Sequence, residues 1–399
     1  MLSTFVSAQN LPSLLSGRDI NSTFAIVAYD KATQKWGVAV ATNNIYVGNS
    51  TVYIEPGVGA AAVIAETEPV YGINALKNLK QGHSPAQAAQ YTIQTDSMPD
   101  YRQLGIVDRN GRTFGYTGHA LSYWKGYAGH RTGPGYVVMG NQLADSVLVR
   151  MADGYEKTAG SFAQRLLAAL SAGQAAGGQL SGKQSAALRV DGMNTSWNNR
   201  IDLRVDNDVD PVSSLQTLLN YHEGRIILNR SVAAIQCGKT DTGKQLLSQA
   251  TALLKGWFGM YGKLATAFIM TGEEEKAIQI IQDALQHQEG WKENLSAFYY
   301  LEKHDSFRKL LNESAFSVKD WAAAIQQELN MGKNTAALAL AKQMTTKYPT
   351  SSHLQYLLAK AMLANGNRPD AWESLHRAIK IDPENGDARR MLAKEFSKP

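Results

Sequence analysis

Three stretches of this chain hold side chains able to do chemistry. The first is Asn21-Ser22-Thr23, an amide and two hydroxyls directly before a β-branched and aromatic run. The second is Thr42-Asn43-Asn44, at the end of the next apolar run. The third is Ser171-Ala-Gly-Gln-Ala-Ala-Gly177-Gly178 with Gly182-Lys183-Gln184-Ser185-Ala186, where an amide, a cation and a hydroxyl accompany glycines. Glycine lets backbone approach a ligand closely. A threonine hydroxyl is a weak nucleophile until a base takes its proton. If Thr23 became the first residue, its own α-amine, with a pKa of about 8, could be that base. The competing reading of Thr23 is a plain β-former opening a strand.

Other chemistries find less support. His83, His119 and His130 have no carboxylate three or four residues on, so their spacing builds no zinc site. His130 beside Arg131 reads as part of an anionic pocket or as a buried hydrogen bond. The full phosphate-loop spacing ending in Gly-Lys-Ser/Thr is absent. Cys237 is the only cysteine, which excludes an intrachain disulfide and a thiolate metal cluster; within its helical pattern it reads as a small buried residue. No cofactor and no metal is implied.

The elements that must hold these groups follow from periodicity. Residues 23–29 read as a strand, and the polar turn at 30–35 returns the chain into an apolar strand at 36–41. Residues 57–65, rich in Gly and Ala, read as a strand under close packing. A helix around 73–79 ends at Gly82, and Ser84-Pro85 starts another with Ser84 as N-cap. A second hairpin turns at Asn110-Gly111, and Gly133-Pro134-Gly135 is a turn before a strand at 136–139. Phe162, Leu166, Leu167 and Leu170 form a helical stripe ended by Gly173, with strands following at 185–190 and 201–205. Strands in hairpins with helices between groups imply antiparallel sheets layered with helices, a mixed α/β (α+β) class.

Near Asp210-Pro211 helical periodicity takes over. Tyr261, Leu264, Ala265, Phe268, Gly272, Ala277, Ile281 and Ala284 follow the tetratricopeptide pattern. Its small residues let two antiparallel helices approach, and its large ones fill the gap to the next pair. Leu358, Ala359, Met362, Gly366, Ala371, Leu375 and Ala378 repeat the pattern; Trp321, Ala337, Ala341 and Pro349 sit 34 residues before Gln355, Ala371, Leu375 and Pro383. The stretch 287–317 is short and off-register. The expected organisation is an arm or leader remnant at 1–22, an α/β domain at 23–222 and an all-α tetratricopeptide-repeat domain at 224–399.

Bulk composition narrows the partners. A chain of 399 residues with 44% hydrophobic and 19% charged residues can bury two cores. The net charge of +5 comes from 40 basic residues scattered among 35 acidic ones, without the basic face that nucleic acid requires. No run approaches the roughly 18 apolar residues of a membrane span. Val6-Ser7-Ala8 after Leu2 and Phe5 is similar to the end of an export signal, against the competing reading of an ordinary arm. Cytoplasm and export both stay open.

The ordered set Thr23-Phe-Ala-Ile-Val-Ala-Tyr-Asp30, Trp36-Gly-Val-Ala-Val-Ala41, Gly57-Val-Gly-Ala60, Arg102-Gln-Leu-Gly-Ile-Val-Asp108, Gly129-His-Arg131, Gly140-Asn141, Lys183-Gln-Ser-Ala-Ala187 and Asp202-Leu-Arg-Val-Asp206 resembles the family called domain of unknown function 1028. The resemblance spans about residues 23–222. It implies an N-terminal-nucleophile (Ntn) hydrolase fold, a four-layer αββα sandwich, and an amidohydrolase-like site. Thr23 is then the nucleophile, with Thr42 and Asn43 beside it, and Asn141 or a backbone amide supplies an oxyanion donor. His130, Arg131, Gly177, Gly178, Lys183, Gln184 and Ser185 are the residues expected around the substrate. Here 22 residues precede Thr23, so this chemistry requires cleavage before it or, alternatively, a nucleophile at Ser22.

Two functions are consistent with these features. One is hydrolysis of an amide bond in a small molecule, peptide or cell-wall fragment, with the repeats recruiting a protein partner. The other is a non-catalytic binding or assembly protein, joined to a partner or to further copies of itself through the repeats.

Overall fold

A computed structural model of the chain describes residues 22–396. The expected arm or leader, Asn21 included, lies outside the described residues apart from Ser22. The chain divides into two compact units, Met1–Glu223 and Gly224–Pro399.

The first unit runs β1 Thr23–Asp30, β2 Lys35–Thr42, β3 Val52–Glu55, β4 Gly59–Ala65, α1 Pro69–Lys80, α2 Pro85–Ile93, β5 Arg102–Asp108, β6 Thr113–Thr117, β7 Tyr127–Gly133, β8 Tyr136–Leu143, α3 Val147–Lys157, α4 Phe162–Ala175, β9 Ser185–Gly192 and β10 Ile201–Val205. Helix α5, Pro211–Gln236, carries the boundary between the units. Six strands form one sheet in the order β10-β9-β2-β1-β8-β7, and four form another in the order β3-β4-β5-β6. Every pairing is antiparallel.

Period-two alternation explains the layering. On β1, Phe24 and Ile26 point into a core shared with Leu148, Met151, Leu166 and Leu170 of α3 and α4. Ala25 and Val27 point the other way, into a core shared with Ile54, Ala60, Ile64 and Val107 of the second sheet. The outer face of that sheet, through Ala61, Val63, Leu104 and Ile106, packs on Tyr71, Ala75, Ala88 and Ala89 of α1 and α2. The layers are therefore helix, sheet, sheet, helix. Strands buried on both faces are apolar at nearly every position, which is why β1 and β2 read as continuous runs.

Helix starts follow their caps. Ser84 accepts from Gln87 N while Gln87 returns to the Ser84 backbone, and Ser161 and Gln164 do the same for α4. Two expectations are corrected. Gly173 lies inside α4, because α3 packs so closely that a Cβ there would meet Met151 Cγ at 2.7 Å. Cys237 is exposed at the end of α5. Strands β3 and β7 and helix α3 add elements that periodicity did not single out.

The second unit is all helical in its regular elements: α6 Thr240–Leu253, α7 Tyr261–Met270, α8 Glu274–His287, α9 Asp305–Arg308, α10 Val318–Asn330, α11 Asn334–Lys347, α12 Ser352–Ala364, α13 Arg368–Ile381 and α14 Gly386–Phe396. The starts of α10 and α12, and of α11 and α13, are 34 residues apart, the register seen in the sequence. Tyr261, Leu264, Ala265, Phe268, Ala277, Ile281 and Ala284 share one buried cluster. Trp321, Ala337, Ala341, Leu358, Ala371 and Leu375 share another. The off-register stretch is a run of 3-10 turns at Glu289–Lys303 followed by the single turn of α9.

Candidate functional site

Antiparallel register sets four polar side chains in one row across the larger sheet. Ser185 of β9 lies opposite Thr42 of β2, Thr42 opposite Thr23 of β1, and Thr23 opposite Asn141 of β8. Residues directly opposite share a face. Each shares its parity with a residue of the core between the sheets: Ala25, Val40, Met139 and Ala187. The row therefore closes that core at one end. Thr23 borders a cavity of about 240 Å³ that is also lined by Thr42, Asn44, Thr51, Ala65 and Glu66. A separate cleft of about 190 Å³ lies at the other end of β2, around Lys35 and Asn194.

Hydrogen bonds fix the row. Thr42 Oγ1 donates to the Ser22 carbonyl at 2.8 Å and lies 3.0 Å from Thr23 Oγ1. A hydroxyl carries one proton, so the Thr23 hydroxyl is the donor in the second bond. The Ser22 carbonyl also accepts from Gln179 Nε2 at 2.7 Å and from Asn43 N at 3.3 Å. Ser22 N donates to Asn43 Oδ1 at 2.8 Å, and the Ser22 and Ser181 hydroxyls lie 2.7 Å apart. Ser22 is fully buried.

The smaller sheet braces the other flank through Gln103. Its Nε2 donates to the carbonyls of Gly140 at 2.9 Å and Gly129 at 3.1 Å, so its Oε1 must face Asn141 Nδ2, which donates to it at 2.9 Å. This fixes the Asn141 amide and leaves its Oδ1 buried without a partner, on the residue opposite Thr23. The Asn141 nitrogen expected as an oxyanion donor is thus engaged with Gln103, and the atom it leaves open is an acceptor. Ser185 Oγ and Gln179 Oε1 are likewise buried and unpartnered. Buried polar atoms are nearly always satisfied, so these unpartnered atoms on and beside the row make it a candidate place for a ligand.

Backbone strain is concentrated at the same place. Ala65 on the cavity wall and Gln142 next to Asn141 have φ of +71° and +53°, a left-handed conformation that costs about 1 kcal/mol or more outside glycine. Gln142, near the end of β8, pairs with the segment that carries Gln179. Ala144 N donates to Gly178 O at 3.1 Å and Leu180 N to Gln142 O at 2.9 Å, laying residues 178–180 along the end of β8.

The remaining expected residues divide. His130 faces the sheet interior half-buried, its Nδ1 2.8 Å from Thr117 Oγ1, and burial lowers its pKa. Arg131, next along the strand, points to the opposite face, so the two do not form a shared anionic pocket. Gly177 and Gly178, with φ of +110° and +54°, stop α4 through bonds back to Gln174 O and Gly173 O. Lys183 is held 2.5 Å from Asp210, whose pKa it lowers. Gln184 contributes its backbone N–H to Thr42 O at 2.9 Å and its side chain to Asn207 at 2.8 Å. Gln179, Ser181 and Gln103 are the site residues that sequence reasoning missed. Gln179 directly follows the glycine stretch singled out above, but its partner is 157 positions away.

Among the described residues, no group of three or more His, Cys, Asp and Glu side chains could hold a metal ion. No described helix is long and apolar enough to cross a membrane.

A layered α/β domain closed at one end by a hydroxyl and amide row, followed by paired helices in a 34-residue register, defines the class of this protein. Residues 23–215 match the family model described as a family of unknown function (DUF1028), and residues 329–394 match that of the tetratricopeptide repeat. A DUF1028 protein of Silicibacter pomeroyi is 30% identical over 50% of this chain and 88% of that one, with a TM-score of 0.45. Through its first unit the chain belongs to the DUF1028 family, and tetratricopeptide repeats follow. Among solved structures, the repeat part is similar to YrrB, described as a TPR protein with an unusual peptide-binding site, at 17% identity over 41% of this chain and 89% of that one, TM-score 0.22. It is also similar to MamA of Desulfovibrio magneticus RS-1, at 15% identity over 43% and 82%, TM-score 0.21. No curated protein matches the chain.

Proposed function

We propose that the first unit is an amide hydrolase of the N-terminal-nucleophile type, with Thr23 as nucleophile once it is the first residue, and that the repeats bring it to a protein partner. One observation carries the reading: the Thr23 hydroxyl stands in a row of hydroxyls and amides beside a backbone carbonyl held by three donors. The helix–sheet–sheet–helix layering supports the Ntn fold.

In the mature form the Thr23 α-amine takes the proton of Oγ1, which attacks the substrate carbonyl. Thr42 Oγ1, Gln179 Nε2 and Asn43 N then cradle the developing oxyanion, in the place that the Ser22 carbonyl fills in the uncut chain. The unpartnered Asn141 Oδ1 accepts from the α-amine and orients it. The cavity of about 240 Å³, polar and with Glu66 on its wall, takes a small polar acyl group.

The test is a chain beginning at Thr23, assayed against a panel of small amides and short peptides beside its Thr23→Ala form. Hydrolysis by the first and none by the second is the expected result. Activity that survives Thr23→Ala would remove Thr23 from its role.

A further inference from the structure

We propose that the cavity beside Thr23 takes an acyl group bearing a positive charge, an ammonium or a guanidinium, and that Glu66 is the residue that recognises it. This rests on the hydrolase reading above and adds the class of amide that the site accepts.

The wall of the cavity is otherwise neutral. Amides and hydroxyls such as Asn44, Asn49 and Ser50 line it, and Glu66 is the one charged side chain among the described residues on it. At about 240 Å³ the cavity falls below the roughly 300–1,000 Å³ of pockets for drug-sized ligands, so it holds a single residue-sized group. In a space that small, a charged substituent cannot keep clear of the carboxylate.

The charge behind that wall is not balanced. Arg102 Nη1 stands 3.9 Å from the Glu66 carboxylate, but the guanidinium is committed elsewhere. Its Nε donates to Asp96 Oδ2 at 2.8 Å, and its Nη1 donates to the backbone carbonyl of Glu66 at 2.7 Å. The Arg102 guanidinium, helped by Met98 N and the Tyr71 hydroxyl, holds the Asp96 pKa down to about 2, so Asp96 stays ionised. Two carboxylates thus share one guanidinium, which leaves one net negative charge. The Glu66 side chain is only 20% exposed, so water screens that charge less than it would on an open surface.

The carboxylate is also held in place. Ala65, at φ +71°, turns the chain out of β4 directly before Glu66. Glu66 N donates to Tyr101 O at 3.2 Å while its carbonyl accepts from Arg102, so both backbone groups of the residue are fixed. A group ordered before binding loses little entropy when it binds. A cationic acyl group makes a charge-assisted hydrogen bond to Glu66 while its carbonyl lies at Thr23. A neutral group of the same length makes no such bond, and an anionic one meets like charge.

The experiment uses the chain that begins at Thr23 and pairs of primary amides matched in length: glycinamide with propionamide, β-alaninamide with butyramide, and 4-aminobutyramide with pentanamide. Succinamate is the anionic probe. Binding is measured on the Thr23→Ala form by ligand-observed NMR, and hydrolysis by the unsubstituted form as ammonia released. In at least one pair the cationic member is expected to win by about 10–100-fold, the worth of one hydrogen bond to a charged group, with succinamate weakest. The length of the pair with the largest ratio reports the span from Thr23 to Glu66. Glu66→Gln brings that ratio close to one, and Glu66→Asp, which keeps the charge, retains part of it. Raising the ionic strength from about 0.01 M to about 1 M shrinks the ratio without any substitution, as screening of a charge pair requires. Equal or absent binding within every pair, a ratio indifferent to salt, or one that survives in folded Glu66→Gln overturns the proposal. The two readings separate cleanly. Hydrolysis of amides without the preference keeps the hydrolase and removes the cation site; a Glu66-dependent preference in binding, with no amide hydrolysed, does the reverse.

Discussion

Glu328 should make the repeat unit less stable as pH rises, and Glu328→Gln should abolish that part of the dependence. The side chain is 6% exposed on α10 and its Oε2 has no hydrogen-bond partner. Burial, and secondarily the charge of Glu302, pushes its pKa from 4.5 to about 7. Between those values the folded chain holds a proton that the unfolded chain has released, so stability falls as pH rises through the window. The contribution is fully present below the unfolded pKa and lost once pH passes the folded one. A rise of that size is worth about 3 kcal/mol over the whole window, and about 2.5 kcal/mol between pH 5 and pH 8. Glutamine is neutral throughout, so urea denaturation of the full chain, followed by far-ultraviolet circular dichroism, should show Glu328→Gln gaining on the wild type by about 2–3 kcal/mol from pH 5 to pH 8. Comparing the two proteins at each pH cancels the titrating groups that do not interact with Glu328. A difference that changes by less than about 0.5 kcal/mol between the two pH values would refute the reasoning, because a carboxyl with one oxygen buried and unpartnered cannot ionise at no cost.

Two further outcomes test the site. Gly140→Ala places a Cβ 2.8 Å from Thr23 O and 2.9 Å from Phe24 Cβ, so β1 must shift at its first residues; we expect a loss of about 1–3 kcal/mol in urea denaturation and a fall in the proposed amide hydrolysis out of proportion to it. Gln103→Ala strips the partner from Asn141 Nδ2 and from the carbonyls of Gly129 and Gly140, all buried, and should cost about 3–5 kcal/mol, read as a lower urea midpoint at unchanged slope.

The parts of the fold that were legible are those where one physical pattern dominates. β1 and β2 announce themselves because both faces are covered and nearly every position is apolar. The repeat helices do so because close approach demands Ala at fixed intervals, as at Ala337, Ala341, Ala371 and Ala378. Helix α3 was not singled out although Val147, Leu148, Met151 and Tyr155 are its buried face, since two valines in its first three residues lean toward strand. β7 is half glycine and polar, and exists because it is an edge strand paired to β8. In the site, Thr23, Thr42, Asn43 and Ser185 stand out in the sequence as polar groups near glycines or the ends of apolar runs, and Asn141 through the family resemblance. Gln179 was not, because its place depends on α4 stopping at Gly177 and Gly178 and on Gln142 turning left-handed, neither of which is local to it.

The composition of the site bears on where the proposed hydrolysis would find its base. Thr23, Thr42, Ser185, Asn43, Asn141, Gln179 and Gln103 are all hydroxyls or amides, and none exchanges a proton readily near neutral pH. His130 reaches the group only through Thr117, and Lys183 is paired with Asp210. Glu66, the charged side chain on the cavity wall, lies 3.9 Å from Arg102 Nη1. An intermolecular amide hydrolysis needs a base poised near neutrality to activate the threonine. Thr42, whose hydroxyl proton points at the Ser22 carbonyl, is placed to accept a hydrogen bond from Thr23 and not to take its proton. Under the proposed reading, the Thr23 α-amine is therefore the group that would supply this base.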